Sequence, residues 1–575
     1  MEKVDNVNKA TCRELLVRRM FLAIGASIVV HFLLMSVVLL ITNLKITHPL
    51  QWLQNTWNVI TCLRMWTCFF VFSLVVFLNG IVSSKDYMNP TSYASSRFVK
   101  FCQIFIPHNF MLGSIYIILG GALAWLHLSV EGGRFGSLVR SCEKIQGYCL
   151  VEEHYFLLLN GLWIGLYFFT NSSYLGTRIL QFPIIPQSKL SQVRRGIRII
   201  IGSTMMDALW PTMYFMIFYV VFGNYCRHLF TTPFHLSIEE EPLDHISRLL
   251  TVSIIFYAWL HAVLFVLIVQ SMHLFFQAYL TQWVSFNIEK NHYGEKGNIC
   301  LSDALAMDIP ILQKLGYLDL INIAQKDKNR RAVLFTLSQP GGHPYNWNSI
   351  YGKCMTLLKN FCNGINAACS TQKEQEPIIK NPIPILKNSG TGKPHTYHMR
   401  SLVSPATPCS AKIEEKQVPA ESFITQYLKK MKESVVNYLL SKRLISFIFA
   451  EQFESKLRHV FNEAQAVIWA ADSISSLAAV SLEEDPYGIV QKDISEIIKV
   501  FLSLKQSLDK LQKLNVSIRK PVSDDRFLKQ TLTGLRSAVR RSLYRIISHF
   551  RNYIDDLALS PGVADQLQPF FTYKE

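Results

Sequence analysis

Along the first 283 residues, apolar positions gather into long unbroken runs separated by short polar segments, whereas further on they recur every three or four residues. The first pattern belongs to helices that are apolar on all sides, the second to helices with one buried face. Six runs are long enough to cross a bilayer, whose core of about 30 Å demands about 20 helical residues because no backbone polar group can stay unpaired there. They are approximately Met20 to Leu44, Met65 to Val82, Phe110 to Val130, Tyr155 to Leu175, Ile199 to Phe222, and a stretch within Leu249 to Leu280 whose most apolar part is Val252 to Gln270. The first is too long for a signal-peptide core and lacks a clear cleavage site, so it reads as a retained anchor. The expected fold is all-α: a six-span membrane domain over residues 1–283, a helical region over 284–370, a flexible linker over 371–419 and a helical C-terminal domain over 420–575.

Within the C-terminal half, Leu301 to Ala324 reads as short helices interrupted at Pro310 and Gly316. The segment Leu337-Ser338-Gln339-Pro340-Gly341-Gly342-His343-Pro344 is predicted to be non-helical, because Pro-Gly-Gly and His-Pro force turns. Gly341 and Gly342 permit backbone angles closed to other residues, Pro340 and Pro344 stiffen both sides, and Trp347 offers a large apolar anchor. The loop is therefore expected to hold two helical elements at one angle. Tyr345, Trp347 and Ile350 open a new apolar series running to about Ala368. Thr371 to Pro419 is rich in Pro, Ser, Thr and Lys without apolar period. Its Ser404-Pro405 and Thr407-Pro408 pairs suit proline-directed kinases, although any such linker contains pairs of this kind. Four helical stretches follow, roughly Ser422 to Phe449, Glu454 to Leu482, Val490 to Leu514 and Phe527 to Leu557. The last carries an apolar stripe among Arg536, Arg540, Arg541, Arg545 and Arg551; it suits a helical bundle better than a membrane surface, though both use such stripes.

Charge supplies the orientation. The formal net charge of +17 divides into +7 for residues 1–283 and +10 for the rest, an excess that suits anionic membranes, acidic partners or nucleic acid without choosing among them. In the flanks of the spans, thirteen basic residues fall in the N-terminal tail and the loops after spans two and four, against seven in the opposite loops. Basic flanks resist translocation, so both termini are expected on the cytosolic side. The sequons at Asn171 and Asn515 then stay unmodified, and the close pair Cys142 and Cys149 falls in the lumen, where a disulfide persists. None of the twelve cysteines has zinc-site spacing, and no metal or other cofactor is expected. Ionisable residues inside the spans are few: Asp207, four residues before Pro211, and histidines such as His31 and His261.

No nucleotide loop, nucleophile turn, metalloprotease helix or kinase signature occurs, and His343 has no nucleophile or metal companions; the chain is expected not to be an enzyme. The order of six spans, helical region, low-complexity linker and helical domain resembles the Ndc-type transmembrane nucleoporins of the nuclear pore complex. The residues that carry the resemblance are Leu337 to Trp347, reading LSQPGGHPYNW, with Phe182-Pro183-Ile184-Ile185, Leu440-Ser441-Lys442-Arg443, Ala464-Gln465, Ile468-Trp469-Ala470 and Glu484-Asp485. The resemblance implies a nuclear-envelope protein that anchors the pore scaffold and recruits soluble nucleoporins. Implied partners are an ALADIN-type propeller and an inner-ring nucleoporin with an RNA-recognition-type fold, with no direct nucleic-acid contact. Its linker is shorter than in vertebrate members, which puts linker-borne partner sites in doubt. Only Phe135-Gly136 and Phe222-Gly223 pair Phe with Gly, so a permeability-barrier role is excluded. The competing readings are a multi-span transporter of the endoplasmic reticulum and a membrane-shaping protein.

Overall fold

The computed structural model describes residues 2–571 apart from 45–47, 90–92, 132–135, 143–147, 175–179, 181, 183–187, 238–242, 244, 290–298, 338–341, 376–441, 450–452, 518–525, 555–556, 558 and 560. Its N-terminal half is built from α1 (Glu2–Thr42), α2 (Pro49–Thr61), α3 (Leu63–Met88), α4 (Arg97–Ile104), α5 (Pro107–Glu131), α6 (Glu152–Tyr174), α7 (Lys189–Asp207), α8 (Leu209–Phe234), α9 (Ile246–Leu249) and α10 (Val252–Leu280). Between α5 and α6, Val139–Ser141 and Tyr148–Leu150 pair as an antiparallel hairpin. The most apolar helix, α10, packs against α1, α5, α6, α7 and α8.

By length and hydropathy, six described segments can cross a membrane: Thr11–Thr42, Leu63–Met88, Pro107–Val130, Lys189–Phe234, Val252–Leu280 and Ser455–Glu484. Packing changes one member of that set. Ser455–Glu484 has 78% of its most apolar window buried inside the protein, so its apolarity serves a protein core. Conversely α6, diluted by Asn160, Gly161, Gly165 and Asn171, lies against α5, α8 and α10. Its contact with α5 is glycine on glycine: a Cβ at Gly161 would stand 2.6 Å from the Gly120 carbonyl oxygen, and one at Gly120 or Gly165 would collide with the Gly161 or Tyr116 carbonyl. Helices in lipid gain no hydrophobic drive toward each other, and small residues at i and i+4 let their backbones approach instead. The six spans are therefore α1, α3, α5, α6, α7 with α8, and α10.

The fifth span differs from the Ile199 to Phe222 run. Its helix breaks at Ala208 and resumes through Phe234. Pro211 explains the restart, because a residue without N–H is tolerated in the first turn, where that donor has no helical partner.

The C-terminal half comprises α11 (Leu301–Ala306), α12 (Pro310–Lys326), α13 (Lys328–Leu334), α14 (Tyr345–Gln375), α15 (Arg443–Phe449), α16 (Phe453–Phe461), α17 (Ala464–Glu484), α18 (Ile494–Ser517), α19 (Arg526–His549) and α20 (Pro561–Phe571). Helix α17 is central, touching α12, α14 and α19, so helices from both sides of residues 376–441 share one bundle. Several boundaries depart from the sequence expectation. Pro310 begins α12 and Gly316 lies inside it without a break, the glycine making room for Leu305 of α11. α14 runs on to Gln375, past Thr371; the stretch from Glu454 divides at Asn462–Glu463, and α19 ends at His549 in a short 3-10 turn. Residues 422–441 and the Ser404-Pro405 and Thr407-Pro408 pairs lie outside the described residues. On α19, Leu535, Val539, Leu543 and Ile546 are buried, as is Phe550 just past its end, while Arg536 pairs with Asp509 and Arg541 with Asp472, both at 2.8 Å. The stripe belongs to the bundle.

Candidate functional site at the joint between spans and bundle

The C-terminal bundle sits on one end of the spans. Ser455 Oγ donates to the Ala94 carbonyl at 2.7 Å, Arg97 lies over the Phe447 ring at 3.6 Å, Phe98 meets Phe449 at 4.8 Å, and Phe182 meets Trp469 edge-on at 5.4 Å. These contacts put the segments after α3 and α6 on the bundle's side. On the other side, a disulfide joins Cys142 to Cys149, whose Cα atoms are 5.3 Å apart, and the hairpin bonds to the segment after α8 through Leu150 N–H to Ser237 O and Ser237 N–H to Tyr148 O, each 3.0 Å.

The exit from the last span is held by one carboxylate. Asp319 of α12 has a fully buried side chain and accepts from Arg330 Nη2 at 2.7 Å and Nη1 at 3.0 Å, from the Phe286 N–H at 2.9 Å and from Trp283 Nε1 at 3.2 Å. Arg330 Nη2 also donates to the Phe286 carbonyl at 2.6 Å. A buried carboxylate is tolerated only when its lone pairs are satisfied, and four donors do so here. Because Trp283 and Phe286 directly follow α10, the clamp ties the last span to the bundle. The next residue, Arg331, donates to both carboxylate oxygens of Glu484 at 3.0 Å and to the Ile323 and Ala324 carbonyls. Those hydrogen bonds hold the Glu484 carboxyl below the ordinary carboxylate range.

The residues singled out in the LSQPGGHPYNW motif divide by location. Pro340 and Gly341 lie outside the described residues; Gly342 and Pro344 are half-buried, and His343 is exposed, its Nε2 accepting from Asn348 Nδ2 at 2.9 Å. Trp347 is fully buried at the start of α14, stacks on Tyr351 at 5.7 Å and donates its indole N–H to Asp493 at 2.9 Å. Tyr351 and Lys359 both reach Glu496, at 3.0 and 2.6 Å, so this face of α14 is fastened to the start of α18. Lys359 first, then Tyr351, lower the Glu496 carboxyl's pKa. Beside the joint, a cavity of about 520 Å³ is lined by Tyr87, Leu180, Phe182, Lys314, His459 and Glu463 among others. Burial lowers the Lys314 pKa against the opposing pull of Glu463.

Of the intramembrane candidates, Asp207 is exposed at the end of α7. His31 is buried, its Nε2 3.2 Å from Ser27 Oγ and 3.1 Å from Ser271 Oγ. His261 meets His127 at 3.1 Å. A buried charge pair of the membrane half is one the sequence reading missed: Glu152 accepts from Arg227 and Tyr219 at 3.0 Å and from the Leu243 N–H at 2.9 Å. Its signal was an arginine within the apolar series that continues past Phe222, facing an acidic residue just before the fourth run. Asp319 also had a signal, a lone acid among the apolar positions of α12. Among the described residues, no three His, Cys, Asp or Glu side chains converge as metal ligands.

Comparison with known proteins adds the lineage. The family model described as Nucleoporin protein Ndc1-Nup matches residues 14–568. The chain is similar to Nucleoporin NDC1 of Mus musculus, at 27% identity over 97% of this chain and 96% of that protein, and of Homo sapiens, at 26% over 98% of each. It is also similar to Nucleoporin Ndc1 of Drosophila melanogaster, at 24% over 96% of each. With nearly its whole length matched, from the first span to the last helix of the bundle, the chain belongs to the Ndc1-Nup nucleoporin family.

Proposed function

We propose that this protein is a transmembrane nucleoporin that anchors the nuclear pore scaffold in the nuclear envelope, its spans gripping the membrane and its C-terminal half, residues 284–575, recruiting soluble nucleoporins. The observation that carries this reading is the Asp319 clamp, which makes bundle and last span one mechanical unit, in a chain whose relatives are nucleoporins from end to end. Load applied to the bundle then reaches the bilayer without passing through a flexible tether. Both termini and the bundle face the cytosol or nucleoplasm, and the Cys142–Cys149 hairpin faces the lumen; the basic flanks support this orientation. The partners follow the family resemblance, an ALADIN-type propeller and an inner-ring nucleoporin with an RNA-recognition-type fold. The reading assigns no catalytic step to any residue.

A fluorescently tagged full-length chain should mark nuclear-rim puncta that coincide with pores, and affinity isolation should retain soluble nucleoporins. In Asp319→Ala, membrane integration should persist while nucleoporin recovery falls. A uniform reticular signal for the unaltered chain would overturn the anchor reading in favour of membrane shaping.

A further inference from the structure

Helix α2 is neither a span nor part of the bundle, and its thirteen residues, PLQWLQNTWNVIT, contain no charged side chain. Plotted at 3.6 residues per turn, it has three faces. Trp52, Thr56 and Val59 fall within an arc of about 60° turned to the protein: Thr56 is buried, Trp52 and Val59 are half-buried, and the Trp52 indole donates to the Leu40 carbonyl at 2.8 Å. Leu50, Leu53, Trp57 and Ile60 fall within an adjacent arc of about 80°; Leu50 is 81% exposed and Trp57 67%. Gln51, Gln54, Asn55, Asn58 and Thr61 fill the remaining arc and are exposed.

Chain continuity fixes where that apolar arc must lie. The α1 span ends at Thr42, and α2 is joined to the α3 span by Cys62 alone, a link that reaches about 3.5 Å. Helix α2 therefore cannot leave the membrane boundary. Its three faces match the three surroundings available there: protein, acyl chains and water. Trp57 has the apolar body and polar edge that suit the headgroup level.

We infer that α2 is an interfacial helix which inserts Leu50, Leu53 and Trp57 into the phospholipid leaflet opposite the bundle, and that a neutral phospholipid surface is its partner. With no cation on the helix, its insertion draws on apolar area and does not require anionic lipid. Because it is held to Leu40 on one side and runs into α3 on the other, it sets the depth of the α1–α3 pair in the bilayer.

The test uses the full chain with Cys62, Cys102, Cys226 and Cys409 changed to Ser, carrying one nitroxide label from Leu53→Cys, Trp57→Cys, Gln54→Cys or Asn58→Cys, in phosphatidylcholine vesicles. Power saturation should show collisions with oxygen dominating at 53 and 57 and with a water-soluble nickel chelate at 54 and 58, with the contrast unchanged by phosphatidylserine. Equal nickel access at all four positions overturns the inference, as does exclusion of both reagents from 53 and 57, which marks a protein covering that face. A contrast that appears only with phosphatidylserine also overturns it. With all native cysteines kept, Trp57→Phe should remove part of the tryptophan fluorescence quenched by acyl-brominated phosphatidylcholine; unchanged quenching counts against insertion.

Discussion

Replacing Trp347 by alanine should loosen the bundle at the point where α14 meets α18. The indole is fully buried, so truncation removes most of a large aromatic side chain's contact area, and burial losses of this kind commonly cost about 3 to 5 kcal/mol. The lost hydrogen bond adds little, because its acceptor Asp493 is only half-buried and water can replace the indole N–H. At about 1.4 kcal/mol per tenfold, local opening should become roughly 100- to 4,000-fold more populated. Cys354 of α14 reports that opening: it is fully buried, and burial alone pushes its thiol up to about 12, so it resists alkylation until the helix separates. Alkylation of Cys354 should accelerate by about two orders of magnitude or more in Trp347→Ala, while Cys68 in the α3 span keeps its rate. Trp347→Phe retains most of the area and should give a smaller increase. His343→Ala, whose ring is exposed, should match the unaltered chain in both alkylation and nucleoporin recovery. Unchanged Cys354 alkylation and full nucleoporin binding in Trp347→Ala would refute the structural role, and a stable but inactive His343→Ala protein would give that imidazole a chemical task.

Gly120→Ala places a methyl group against the Gly161 carbonyl and should lower the thermal stability of the detergent-solubilised chain, whereas Gly202→Ala, with nothing within 4 Å, should be neutral; equal melting of the two would contradict the close α5–α6 packing. Because Arg331 depresses the Glu484 carboxyl, their pairing stabilises the fold above the unfolded carboxylate value of about 4.3 and is lost as pH falls through the lower folded value. The melting difference between the unaltered chain and Glu484→Gln should therefore be full at neutral pH and shrink on acidification below about pH 4; a difference that grows on acidification would reverse the sign of the argument. Tags at either terminus should be cut by protease in permeabilised cells whose endoplasmic reticulum is intact, and a protected C-terminus would invert the topology. Cys142 and Cys149 should label with a thiol reagent only after reduction; equal labelling without reductant would contradict the bond.

What the sequence determined by itself is local. Unbroken apolar length marks α10 and α1 as spans because the bilayer imposes the same requirement on any chain that crosses it. A stripe at three- and four-residue steps marks α19 as amphipathic, and the Pro-Gly-Gly segment marks the start of α14. None of these patterns names the surface that covers an apolar face. The stripe on α19 favours protein over lipid without deciding between them, and the packing of α17, with Asp472 reaching Arg541 across 69 residues, assigns it to a bundle. The apolar segment Ser455–Glu484 suits a membrane by composition and lies in a protein core by contact. Trp347 was legible as an anchor, yet its partner Asp493 stands 146 residues away. Likewise Glu152 finds Arg227 across 75 residues, and Asp319 holds a segment 33 residues back, through pairings that local periodicity does not encode. Periodicity records which face of a helix avoids water; only the folded chain decides whether lipid, glycine or a distant carboxylate meets that face, because that choice is made by the free energy of the whole packing arrangement.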